Sequence, residues 1–115
     1  MASQAYEQLL ALGAERGTYT PDEGMPVCIV GLVEPIRRTD SLGNQSFLSK
    51  TYEIWFVKSE TEGVTRIKAG FDTFAIKLDP SDDDETPLRI TKIYPERDQG
   101  LPGDGIGMWH VEAVV

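Results

Sequence analysis

With 115 residues, 40% apolar and 26% charged, the chain has room for one hydrophobic core and is too apolar to stay unfolded. Nineteen acids against eleven bases leave a net charge of −8, which disfavours both specific nucleic-acid binding and attachment to anionic membrane. A single cysteine excludes an intrachain disulfide and a thiolate zinc site.

The first four residues lack the basic and apolar stretches of a secretory signal, and no apolar run approaches a membrane span, so a cytoplasmic protein is expected. A helix pattern follows at once. Ser3 suits an N-cap, and Tyr6, Leu9 and Leu10 fall at i, i+3 and i+4. Gly13 and Gly17 weaken the far end, which predicts a helix over residues 3–16. So short a helix needs a surface to dock on. It reads as a clasp over one end of a β-core, with an interaction arm as the other reading.

Beyond it the period changes to two. Residues 26–36, rich in Val and Ile, predict a strand in which Cys28 is a buried, inert thiol. Residues 39–44 form a turn cluster. Residues 50–58 are the clearest strand, with Tyr52, Ile54 and Phe56 on one face and Glu53, Trp55 and Val57 on the other. Bulk on both faces predicts a central strand, or a partner for Trp55.

Residues 60–63 turn the chain into a weaker strand at 64–68, and Phe74, Ile76 and Leu78 give residues 73–78 one apolar face. Residues 88–94 predict a further strand, and residues 95–105 a long connection with two prolines and three glycines. In the last strand, 106–115, Trp109, Val111 and Ala113 alternate with Met108, His110 and Glu112. The expectation is one mainly β domain over residues 1–115. Its β-core, 25–115, is a small antiparallel barrel or sandwich of about six strands, with one short N-terminal helix.

Asp79, Asp82, Asp83, Asp84 and Glu85 place five acids within seven positions, without the alternation or the glycine of a calcium loop. They read as a solvated loop, one that a basic partner would order. His110 is the only histidine and lies in a strand-type run, with no glycine-flanked serine elbow anywhere. The glycines at 100, 103, 105 and 107 lack the Lys-Ser/Thr of a phosphate loop and lead into a strand. No catalytic, cofactor-binding or metal-binding residue is assigned, and no cofactor is expected. An enzyme would need several of Asp72, Asp104, His110 and Glu112 to converge. The partner-binding candidates are Asp82, Asp83, Asp84 and Glu85, with Trp55 and Trp109.

Bases concentrate in the middle of the chain, whereas residues 79–104 hold eight acids against three bases. Such asymmetry suits head-to-tail stacking on copies of the same chain, a heterologous contact that closes rings. The runs Gly70-Phe71-Asp72-Thr73-Phe74, Leu88-Arg89-Ile90-Thr91-Lys92-Ile93 and Trp109-His110-Val111-Glu112 follow a short N-terminal helix and a small β-domain. In this layout the chain resembles the small phage structural proteins of the head–tail joining, or head-closure, group. The resemblance covers about half the chain and lies in strand order, so no functional residue is carried over from it. It implies a non-enzymatic assembly protein that forms rings or binds other virion proteins, with an acidity suited to a lumen through which DNA slides. The alternative is a small cytoplasmic β-barrel binding module with a protein partner.

Overall fold

The computed structural model describes residues 4–39, 46–94 and 108–115. They form one helix, α1 (Gln4–Ala11), and six strands. These are β1 (Glu15–Thr20), β2 (Val27–Thr39), β3 (Ser46–Val57), β4 (Thr73–Ile76), β5 (Thr86–Ile93) and β6 (Met108–Val114). Ser3, most of the turn at 39–44, and the connection at 95–105 with Asp104 lie outside the described residues. Among the described residues, no helix is long and apolar enough to cross a membrane.

The strands close into a barrel in the order β1-β2-β3-β6-β5-β4, every neighbour antiparallel. The expected β class and single short helix are found, and closure decides for a barrel over a sandwich. Antiparallel neighbours also sort the strand ends. The start of β1, the end of β2, the start of β3 and the residue 77–85 loop lie at one end. Residues 21–26 and 58–72 lie at the other.

The helix stops sooner than expected. Gly13, at a φ of 100°, lets the chain reverse, with Ala14 N–H donating to the Leu9 carbonyl and Gly13 N–H to that of Leu10. Residues 15 and 16, expected in the helix, instead open β1, whose Thr18, Tyr19 and Thr20 are good strand formers. β1 joins β2 to β4 and so closes the barrel. α1 then lies on the outer wall, where Ala5 and Leu9 pack with Leu32, Val57 and Met108. This explains the two bulky faces of β3: Ile54 and Phe56 enter the barrel, while Val57 and Trp55 belong to the cluster beneath the helix.

Inside the barrel, Phe56 meets Tyr19 edge-on with ring centres 5.6 Å apart, and Phe74 likewise at 4.9 Å. The Phe74 ring occupies space that a side chain at position 17 would need. A Cβ on Gly17 would come within 2.5 Å of the Ala75 carbonyl oxygen and 2.6 Å of the ring. Glycine there lets β1 and β4 approach.

The strand expected at residues 64–68 is absent. β3 and β4 stand opposite each other in the six-strand ring, so the chain must cross the barrel mouth between them. Val64 and Ile67, three residues apart, are buried in the main core and plug that mouth. Two further expectations are corrected. Cys28 is exposed, because Ile29 is the neighbour that turns inward on β2. Leu78 lies past the end of β4 and is 38% exposed, so the inward face of that strand is Phe74 and Ile76 alone.

Candidate functional site

The acidic loop between β4 and β5 is organised rather than pooled. Asp79 Oδ1 accepts the N–H and the hydroxyl of Ser81, at 2.9 and 2.8 Å, and these bonds hold its carboxyl below the usual range. Asp79 N–H donates to Asp82 Oδ2, and Glu85 Oε1 accepts the Thr18 hydroxyl at 2.9 Å. Asp83 and Asp84 are exposed. Among the described residues, no group of three or more His, Cys, Asp or Glu is arranged to hold a metal ion.

The two tryptophans occupy different sides of the barrel wall. Trp109, half-buried against the core, donates its indole N–H to the Val64 carbonyl at 2.9 Å and so ties the plug to β6. Lys58 Nζ lies 4.8 Å from its ring centre. Trp55, also half-buried, stands on the outer wall and stacks on His110, with ring centres 4.5 Å apart. His110 stacks in turn with Tyr94 at 4.2 Å. The acidic loop and the tryptophans therefore do not form one surface.

Around that stack the outer wall carries its own charge pattern. The registers place Glu53 opposite Glu112, and Glu112 opposite Lys92, across β3, β6 and β5. Like charges directly opposite each other destabilise a sheet unless something relieves them. His110 Nε2 lies 3.4 Å from Glu53 Oε1, and the Tyr94 hydroxyl donates to Glu112 Oε2 at 2.9 Å. Two carboxylates, an imidazole and two aromatic rings thus form a semi-exposed band on one wall.

Asp72 is elsewhere, at the start of β4 and only 3% exposed. Its Oδ2 accepts the Tyr19 hydroxyl at 2.6 Å and the Lys68 N–H at 2.9 Å, and its Oδ1 accepts the Asp22 N–H at 2.8 Å. Its backbone N–H donates to the Lys68 carbonyl, and its carbonyl accepts from Ile90. One side chain thereby joins β1, the plug loop and the β1–β2 loop. Of the four residues an enzyme would have to gather, Asp72 is held in this knot, His110 and Glu112 share the outer face of β6, and Asp104 lies outside the described residues.

Burial, the bond to Asp72 and its negative charge all raise the Tyr19 hydroxyl pKa. A pKa raised by folding adds stability in full below the ordinary tyrosine value and loses it as pH climbs beyond. The stability difference between the native chain and Tyr19→Phe should therefore shrink above about pH 10. Urea denaturation between about pH 8 and 11 measures it. A difference flat across that range would refute the coupling.

Asp72, Glu53 and Tyr94 carry no local signal that marks them as part of a cluster, because their partners are distant in sequence and are set by the barrel's register. No family model, curated protein or solved structure matches this chain.

Proposed function

We propose that this chain is a non-enzymatic structural or assembly protein of phage or prophage origin, of the head–tail joining kind. It acts through contacts with copies of itself or with other virion proteins. The observation that supports the reading best is the extension of β2 and β3 beyond the wall. β1 covers β2 only as far as Gly31, and β6 covers β3 only from Thr51. Among the described residues, 37–39 pair solely with 46–48 as a two-stranded ribbon. A closed barrel leaves few unpaired edges, so a projecting ribbon gives an otherwise sealed fold a means of engaging another chain. The net charge of −8 suits a part past which DNA must move without sticking.

A second reading, a cytoplasmic binding module, is favoured by the semi-exposed band of Trp55, His110 and Tyr94 on the outer wall. Mass spectrometry of particles released after prophage induction separates the two. Peptides of this chain at several copies per purified particle are the expected result. Their absence, with other structural proteins well covered, would refute the virion reading and leave the binding module.

A further inference from the structure

We infer that the turn carrying Phe71 is the anchor of a contact between copies of this chain, seating head to tail in a cleft at the opposite end of the next copy's barrel. The inference rests on the self-association proposed above, and it specifies the two surfaces.

The anchor is an aromatic ring on a rigid support. Phe71 is 57% exposed, yet its backbone is held from several sides. Gly70 N–H donates to the Ile90 carbonyl at 2.6 Å, and the Phe71 and Asp72 N–H groups both donate to the Lys68 carbonyl. The Asp72 carboxylate accepts the Lys68 N–H in return. A ring presented on so fixed a turn loses little freedom when it is covered, which favours it as an interface anchor. Met25, 80% exposed, stands at the same end of the barrel, in the loop that leads into β2.

The cleft arises because β1 starts late. β1 separates β2 from β4, but it begins only at Glu15, opposite Gly31. β2 runs on past that point, so a gap opens between Val33 and Pro35 on one side and Ile76 and Leu78 on the other. Tyr52, the partner of Pro35 on β3, also lines it. The gap holds about 340 Å³, whereas about 150 Å³ of apolar space already admits a benzene ring. Pro35 lacks the N–H that an added strand would need, so the gap suits a side chain better than a strand.

Charge and position select the occupant. Lys68, bridged to Asp22 at 2.9 Å, holds its Nζ 4.5 Å from the Phe71 ring centre, so a cation accompanies the anchor. The cleft is rimmed by the exposed Glu15 and by Leu78, after which the chain enters the acidic loop. Lys77 on the same rim has its counterpart in Glu23, which lines one hollow with Lys68. Each chain carries both halves at opposite ends of one barrel, so the anchor cannot reach its own cleft. A protrusion matched to a cleft elsewhere on the same molecule makes a heterologous contact. Such a contact repeats from copy to copy and closes as a ring where the rotation per step allows.

Sedimentation velocity on the full chain tests this, with Phe71→Glu and Leu78→Glu as the two variants. The native chain should form assemblies larger than two that build up with concentration. Each variant alone should associate at least about tenfold more weakly, since every contact then lacks one of its halves. Mixed in equal amounts, the variants should form a dimer and stop there. The intact cleft of one takes the intact Phe71 of the other, and the anchor and cleft left over are both spoiled. That dimer also shows that both variants fold.

A native chain that stays monomeric or stops at two copies, a variant that assembles unchanged, or a mixture that stays monomeric would overturn the inference. So would a Leu78→Glu chain that assembles normally but is missing from particles, which would place a different virion protein in the cleft. A native monomer that is nevertheless abundant in particles refutes the contact and leaves the virion reading standing. Head-to-tail assembly by a chain absent from particles does the reverse.

Discussion

Asp72→Ala is expected to destabilise the protein by about 3–5 kcal/mol, a large share of the total stability of a domain this size. The change removes an acceptor on which the Tyr19 hydroxyl and the backbone N–H groups of Asp22 and Lys68 converge. A buried donor left without a partner loses its bonds to water and gains nothing in return, which costs about 1–3 kcal/mol for each group. The three donors belong to three segments, so the loss also frees the loops at the plugged end of the barrel.

Urea denaturation measures the effect, and Tyr19→Phe serves as the internal comparison. Tyr19→Phe removes one donor and leaves Asp72 two backbone partners, so its loss should be less than half as large. Asp72→Asn keeps the shape but turns one oxygen into a donor that faces other donors, and it should fall between the two. A loss below about 1 kcal/mol for Asp72→Ala would show that the knot is incidental to folding.

Phe56→Ala should be comparably severe for an unrelated reason. The ring is fully buried between Tyr19 and Phe74, and it bridges β1 and β4, whose pairing closes the barrel. Truncation removes the ring's burial and its edge-to-face contacts, and it leaves a cavity inside a closed wall whose strands are held in register on both sides. Such a wall collapses little, so about 3–5 kcal/mol is expected, with a fall in melting temperature of roughly 12–20 °C. Phe56→Leu keeps most of the volume and should lose much less. Thermal unfolding followed by circular dichroism distinguishes them. Equal losses for the two would mean that ring geometry, rather than volume, dominates the core.

Much of the β-structure was legible from local pattern. The alternation of Ile54 and Phe56 with Trp55 and Val57, and of Val111 and Ala113 with His110 and Glu112, follows from the two-residue period of a strand that has two different sides. The number of strands also agreed, though the membership did not. Residues 64–68 have strand-like composition, yet they cross the barrel mouth, where Val64 and Ile67 plug the core at a spacing of three. Residues 15–20 lie next to a helical pattern, yet pairing on both sides makes them a strand. In both places tertiary demand overrides local propensity.

The candidate site was less legible than the fold. The acids of residues 79–85 are visible as a cluster in any reading of the chain, but the bonds from Ser81 to Asp79 and from Thr18 to Glu85 are not. Trp55 and Trp109 are conspicuous by type, and only the barrel's alternation and register assign one to the outer stack and the other to the plug.

The fold class, the short amphipathic helix, the acidity and most of the strands follow from local pattern, because period and charge are properties of neighbouring residues. Barrel closure, the insertion of β6 between β3 and β5, the Asp72 knot and the projecting ribbon were decided only by tertiary structure. Each depends on contacts between residues far apart in the chain, and the register of strand pairing that creates those contacts is set by the packing of the whole barrel.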